Sequence, residues 1–516
     1  MSAYTTQPAK RFKQQLRSPS PSCAPRIDFA TQLSEEVILL ILSHLHYQDL
    51  AHLSRASREW RRLASDQTLW KSLFVKRFSN LSLPVAAEGE HGEAETSVDR
   101  SQRRRRSGQA ALIMRDQHDW QTMFVLQHNW SSGNCHIQSL RIEATGPPRP
   151  VLAFSKNFVL VASEGPLISV WCIENRRRVG TLPCGRLPAA SVATCILVDT
   201  SLPATQRVLA GFSDGSCRIW SLSSKDSGGF AADELCTIRG QSSDESILAV
   251  AICDIVVVVC TAQFDLVFYR LIPPSEPGRL WTSKELNRVG WHSRNFWAPV
   301  DLHLLQAGAG TSFSLHVAYE SPTATGNWQV GLELINFSTE NAKVTTQHYS
   351  PSNSKMLPKS ASPLTCLRFR APYLVTAHAD NVVQLYMMMP SPTRRKPQRT
   401  ALVHISPLYA HSAAVTALDL DAASGKLVTA GFDGTKIWEL QLNSDGSVKI
   451  PEPTVTLVDG ETAAQWGAGG EQYTARTVPL WLGFDAGRIV SCNGRGREIV
   501  PEKCEPVVKI FSFLDE

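Results

Sequence analysis

The sequence predicts a multidomain chain, a small all-α unit followed by a much larger all-β repeat array. Three observations carry this. Apolar residues recur at helical spacing between Leu33 and Phe78. After Pro150 the chain turns strand-rich, with Gly, Asp and Asn at the breaks. Within that stretch a strand–turn–strand outline recurs seven times. At roughly 100–200 residues per domain, 516 residues allow two to four domains and ample buried core.

Composition removes several function classes. The chain carries 52 Lys and Arg against 47 Asp and Glu, a net charge of +5. Over this length that is too dilute to mark a nucleic-acid binder. The twelve cysteines are scattered without a CxxC pair, as expected of reduced, buried small hydrophobes in an intracellular protein. The first residues are basic and Ser/Pro-rich but lack the apolar core of a signal peptide. The most apolar run, Ile247 to Ala262, is too short to span a bilayer and holds Asp254 in its middle, so it reads as strand, turn, strand. No membrane partner is therefore expected. The Asn-x-Ser matches at Asn80, Asn129 and Asn336 carry no meaning as glycosylation sites in such a protein.

Residues 1–27 lack hydrophobic periodicity and contain Ser18-Pro19-Ser20-Pro21, which predicts disorder. From residue 28 the pattern changes. Ser34 is suited to capping a helix, with Glu35 and Glu36 in its first turn. Val37, Ile38, Ile41, Leu42 and Leu45 follow at helical spacing. Asp49 is expected to cap a second helix bearing Leu50, Leu53 and Ala56, and a third stretch runs from Arg58 to Phe78 with Trp60, Leu63, Leu69, Trp70 and Leu73. About fifty residues in three helices make a marginal core, which suggests a surface meant for a partner.

The segment LSEEVILLILSHLHYQDLAHLSRASREWRRLASDQTLWKSLFVKRF resembles an F-box, placed at 28–80. The family usually begins Leu-Pro, where this chain has Leu33-Ser34. A charged linker follows at 81–115, acidic first and then basic at Arg103 to Arg106. The segment 116–135 is similar to the helical lead-in of F-box/WD-repeat proteins, whose Asn-Trp-x-x-Gly pattern is here Asn129-Trp130-Ser131-Ser132-Gly133.

The two clearest repeats are VLAGFSDGSCRIWSL (208–222) and LVTAGFDGTKIWEL (427–440). Each has an apolar strand, an Asp-Gly turn and a strand ending in Ile-Trp; Gly tolerates the positive φ that a tight hairpin needs. Weaker copies end at 168–174, 266–272, 330–336, 382–388 and 507–513. The array resembles a WD-repeat protein, so the fold class becomes a small all-α F-box followed by an all-β seven-bladed WD-repeat-like β-propeller over 136–516. The resemblance maps the family's structural hydrogen-bond set onto His411, Thr429, Asp433 and Trp438, with Asp214 and Trp220 as the matching residues of the second blade. DGTKIW is one residue shorter than DGSCRIW, which leaves the register of that blade's third strand open. The chain stops soon after the seventh copy, so its last blade needs an outer strand. HIQSLRIE at 136–143 alternates suitably and is expected to supply it.

No catalytic pattern emerges, and no enzyme, metal or cofactor is expected. Gly211-Phe212-Ser213-Asp214-Gly215 fits G-x-S-x-G, but a hairpin inside a repeat is the wrong setting for a nucleophile elbow. His44 and His46 belong to no zinc pattern, and the glycine-rich pieces at 308–310, 467–470 and 493–496 lack the residues that cradle phosphate. The joint resemblance implies a substrate receptor of a Skp–cullin–F-box ubiquitin ligase, acting in cytoplasm and/or nucleus. Leu33, Ser34, Val37, Ile38, Ile41, Leu45 and Leu50 would meet the Skp-family adaptor, which bridges to a cullin. The propeller rim would hold an unknown substrate protein, with Arg218, Arg368 and Arg370 as candidate phosphate readers. The competing readings are an adaptor-binding protein working outside a ligase, and a scaffold whose F-box has lost its partner.

Overall fold

The computed structural model describes residues 33–78, 119–142 and 150–514, apart from 156, 163–164, 186–187, 189–190, 200–205, 225–229, 241–244, 277–278, 291–296, 308–309, 323–326, 341–343, 352–361, 391–399, 443–447, 450–452, 458–464, 467–471, 474–475 and 497–504. The expected disordered start and charged linker lie outside these residues. Two compact units result.

The helical unit has four short helices rather than three: α1 (Glu35–Leu42), α2 (Tyr47–Leu53), α3 (Arg58–Ala64) and α4 (Gln67–Phe78). The expected third stretch breaks at Ser65-Asp66, because Asp66 Oδ1 accepts the Thr68 N–H at 2.8 Å and starts a new helix. Asp49 is not a cap; His46 holds that position and Asp49 sits in the first turn of α2. Ser34 is the N-cap of α1, but by its carbonyl, which accepts the Ile38 N–H at 3.1 Å, and not by its side chain. The side-chain cap is Ser57, whose hydroxyl accepts from Trp60 N at 3.2 Å. Ile38, Leu42, Leu50, Leu63, Leu69, Trp70, Phe74 and Phe78 are buried. The Trp70 indole N–H is satisfied by the Ala64 carbonyl at 2.8 Å. Asp119–Gln121, at the start of α5 (Trp120–Ser132), belongs to this unit, with the Trp120 ring edge-on to Phe74 at 5.7 Å.

The β unit is a propeller of seven four-stranded antiparallel sheets. Their first strands begin at Val151, Ala193, Ile247, Trp297, Leu364, Val415 and Arg476, and neighbouring first strands touch one another around a complete ring. All seven third strands fall where the sequence repeats end. The Ile247–Ala262 run is two strands, Ile247–Cys253 and Val256–Thr261, turned at Asp254 in the left-handed region (φ 55°). Its apolarity has a simple cause. Val256 and Val258 face the layer shared with blade four, while Val257 and Val259 face the layer shared with blade two. Every blade is sandwiched this way, so alternate residues are buried on both faces. At roughly 1.5–3 kcal/mol per buried aliphatic side chain, these layers dominate the unit's stability.

Local devices tune the packing. In blades two to seven a bulge interrupts the pairing of the first two strands. In three of them the bulged residue is Thr194, Thr365 or Thr416, whose hydroxyl reaches a carbonyl of the next blade: Ile247, Val415 and Pro479 respectively. The short turn of blade six brings Gly431 opposite Gly434, which fixes Thr429 across from Lys436 and Leu427 across from Trp438. Gly434 adopts φ 111°, and a Cβ there would stand 2.8 Å from the Leu457 carbonyl. Ten cysteines among the described residues are free. No helix among them is long and apolar enough to cross a membrane.

The last blade is composite. His136–Arg141 pairs antiparallel with Glu505–Ser512, from His136 opposite Ser512 to Arg141 opposite Val507. Leu140 and Ile142 are buried in the layer between blades seven and one. Deleting residues 134–144 is expected to lower the melting temperature and to strip amide-exchange protection from Glu505–Ser512. An unchanged melting temperature with protected amides would contradict that role.

Candidate functional site

The helical unit separates the residues that hold it together from those that it presents outward. Helical spacing puts Val37, Leu40 and Ile41 on one side of α1, at 44%, 64% and 51% exposure, with Leu33 exposed just before the helix. Ile38 and Leu42 point the other way, into the core. Of the seven expected adaptor residues, Leu33, Ser34, Val37 and Ile41 are exposed, Leu45 is half-buried, and Ile38 and Leu50 are buried in the bundle itself. Leu40, the most exposed of the four apolar residues here, was missed. Its place beside Val37 and Ile41 at helical spacing was the available signal. Four exposed large apolar residues within nine positions are a costly surface for a lone domain.

In the propeller, α5 beyond Gln121 fixes one end. Trp130 is buried, stacked on Phe513 at 4.1 Å, and donates its indole N–H to the Ala486 carbonyl at 2.8 Å. Asn129 Nδ2 donates to the Phe513 carbonyl at 2.9 Å. Lys426 Nζ lies 4.3 Å above the Trp130 ring, and burial pushes its ammonium down to about 8. Gly133 ends the helix in the left-handed region (φ 76°), packed against Val455. These contacts cover the end carrying the turn between the first and second strands of blade seven. The opposite end, where the second and third strands meet, exposes Leu167, Trp297, Tyr409 and Phe432.

In blade six four side chains form a chain of hydrogen bonds. The Trp438 indole donates to Thr429 Oγ1 at 2.9 Å, and that hydroxyl stands 2.8 Å from His411 Nε2. His411 Nδ1 is 2.7 Å from Asp433 Oδ1. Burial pushes the imidazole pKa down, so the neutral ring accepts from Thr429 and donates to Asp433. Blade two has Ala210 opposite Arg218 where blade six has Thr429 opposite Lys436, and the chain of bonds is lost. There Trp220 donates to the Pro183 carbonyl at 2.8 Å, while Asp214 accepts from Ser216 N and Oγ inside its own turn.

A family model described as F-box protein pof12 beta-propeller matches residues 135–450. The chain belongs to this family. An F-box-like model matches residues 35–76 of the same F-box/WD chain. The probable E3 ubiquitin ligase complex SCF subunit sconB of Arthroderma otae is 26% identical over 170 residues, which cover 30% of this chain and 24% of that protein. An F-box protein of Saccharomyces cerevisiae is 24% identical over 156 residues, covering 28% and 23%. The match thus spans about a quarter of these relatives. Among solved structures, the Myceliophteria thermophila Cps50 (Swd1) beta-propeller domain aligns with TM-score 0.41 and 10% identity over 73% of this chain and 99% of that one.

In this F-box propeller the arginines singled out from sequence already have carboxylate partners. Arg218 pairs with Glu234 at 3.2 Å. Arg368 lies 3.1 Å from Asp301 and 3.4 Å from Asp419, and Arg370 is 3.0 Å from Asp301. The latter network ties the first strands of blades four, five and six together, a long-range pairing that no local pattern announces. Ser213 of the G-x-S-x-G match lies in a hairpin turn and accepts the Val192 N–H at 3.0 Å, from just ahead of the blade's first strand. Among the described residues, no group of three or more His, Cys, Asp and Glu is placed to hold a metal.

Two imidazoles lie between blades four and five. His303 and His316 are paired across strands, their rings 6.2 Å apart, and each packs against Phe369. Burial, aided by Arg370 and by the other imidazole, pushes His303 down to about 3; burial alone pushes His316 to about 4. An unfolded histidine protonates near 6.5. The pair therefore stabilises the fold fully above that pH, and the contribution fades as pH falls toward 4. Between pH 6.5 and 4.5, the His316→Leu chain should lose on average about 1 kcal/mol less per pH unit than the parent, somewhat under the share of one full proton. Chemical unfolding across that range measures it; identical slopes would refute the assignment.

Proposed function

We propose that the chain is the substrate-recognition subunit of a Skp–cullin–F-box ubiquitin ligase. Its parts would be the F-box at 28–80, a linker at 81–115, the helical lead-in at 116–135 and the propeller at 136–516, with 136–143 closing the last blade. The observation that carries the reading is the exposed apolar face of α1, Leu33, Val37, Leu40 and Ile41, set on a bundle that keeps a separate core. Such a face is satisfied by burial against another protein. Relatives named as an SCF subunit and an F-box protein support a Skp-type adaptor as that protein, with a cullin beyond it.

The chain itself would break and form no bond. It raises the effective concentration of a bound protein's lysines near a charged ubiquitin-conjugating enzyme. The substrate would sit on the propeller end that α5 leaves open, at the rim of Leu167, Trp297, Tyr409 and Phe432. A site of action in the cytoplasm and/or nucleus goes with this reading.

The test is capture of a purified Skp-type adaptor by the chain and by a Leu40→Asp/Ile41→Asp variant. Both residues are exposed, so the bundle should fold. Adaptor binding should fall at least a hundredfold while the propeller's melting temperature stays put. Equal binding by both forms would refute the adaptor face. Adaptor binding without cullin recruitment would favour action outside a ligase.

A further inference from the structure

The open end of the propeller holds a buried carboxylate set apart from its peers. Of the other buried carboxylates described, Asp199, Asp265 and Asp301 each have an arginine partner, and Glu333 has His348 at 3.1 Å. Glu320, on the second strand of blade four, is 2% exposed and has no cation beside it among the described residues. Its partner is a neutral donor, the Leu364 N–H of blade five, at 2.6 Å. Burial without a compensating charge pushes this carboxyl up to about 7. A buried anion with one neutral donor is a costly arrangement unless a cation arrives.

Two tryptophans neighbour it in the sheet register. Trp297 pairs directly with Glu320 in the strand register, and Trp328 pairs with Pro322, two residues along. Side chains two apart share a face of a strand, so Trp297, Glu320 and Trp328 rise from the same face of the blade. The two rings meet nearly at right angles, 78°, with centroids 5.9 Å apart. Trp297 is 53% exposed and Trp328 is half-buried. Perpendicular tryptophan walls beside an unpaired carboxylate make a setting for an alkylammonium ion. The ring faces attract the cation and its methylenes, and the carboxylate supplies the opposite charge.

We infer that Trp297, Trp328 and Glu320 form a receptor site for a lysine-type ammonium group carried by the protein that the propeller holds. The ammonium chemistry follows from these residues alone; its assignment to a substrate rests on the receptor reading above. The site asks for a positive, apolar-stemmed side chain, opposite in sign to the phosphate that arginines would read.

The test uses the full chain labelled with 5-fluorotryptophan, with the Trp297 and Trp328 fluorine signals assigned by Trp297→Phe and Trp328→Phe. Nα-acetyl-lysine amide, its trimethylated form and the neutral Nα-acetyl-norleucine amide are titrated in turn. The lysine probes should shift both signals and leave the buried Trp130 signal unmoved. Norleucine should bind at least tenfold more weakly. Trp297→Ala should weaken lysine binding about tenfold. Glu320→Gln, which preserves shape and the bond to Leu364, should do the same or more, with the Trp130 signal reporting an intact fold. The tighter of the two lysine probes identifies whether the side chain read is methylated. Equal binding of norleucine, no shift with any probe, or undiminished binding by Glu320→Gln would each overturn the site. The experiment needs neither adaptor nor substrate, so its failure would leave the receptor reading standing, and failed adaptor capture would leave the ammonium site standing.

Discussion

Each sheet of the propeller is apolar on both faces, so each needs a neighbour on both sides. An open row of such sheets would end in two exposed apolar faces, and a closed ring has none. Closure rests on one antiparallel pairing between strands that are far apart in sequence, His136–Arg141 with Glu505–Ser512. That pairing completes the last blade and buries Leu140 between it and the first. It also fixes the place of the preceding residues, because Trp130 and Asn129 bind the turn and the chain end that belong to the same blade. The closing strand and the docking of α5 are thus consecutive consequences of one constraint.

Much of this was legible because the relevant physics is local. Asp-Gly turns, alternating strands and a period that recurs seven times locate all seven third strands. The bonded set of His411, Thr429, Asp433 and Trp438 was readable because all four sit within one repeat. What escaped detection was the pairing of residues from different repeats. Arg368 looks like a free cation in sequence and proves to lie between Asp301 of one blade and Asp419 of another. Thr194, Thr365 and Thr416 look like ordinary strand threonines, yet a bulge turns each toward the next blade. Helical spacing found the apolar residues of the F-box but not which of them face outward. Ile38 and Ile41 are equally hydrophobic; one fills the core and the other is exposed. The break at Ser65-Asp66 was missed because apolar residues continue across it, while a single carboxylate at Asp66 starts a new helix.

The two units divide their labour chemically. The helical unit leaves aliphatic side chains uncovered along one helix. The propeller tucks its aliphatic residues into seven inter-blade layers and shows mainly aromatic residues at its open end, with a lone carboxylate next to two of them in the sheet register. Aromatic side chains combine large contact area with few rotatable bonds, which suits reversible capture. Arg368 and Arg370 of the inner strands are committed to holding blades together.

On the proposed function, what the propeller captures is ubiquitylated because the F-box recruits the ligase. The direct measurement is quantitative mass spectrometry of diglycine-modified lysines on proteins bound to the full chain, with proteasomes blocked, beside the same chain carrying Val37→Asp and Ile41→Asp. Both chains should bind the same proteins, and only those bound to the unaltered chain should gain ubiquitin. Equal modification of the proteins bound to both chains would contradict that function.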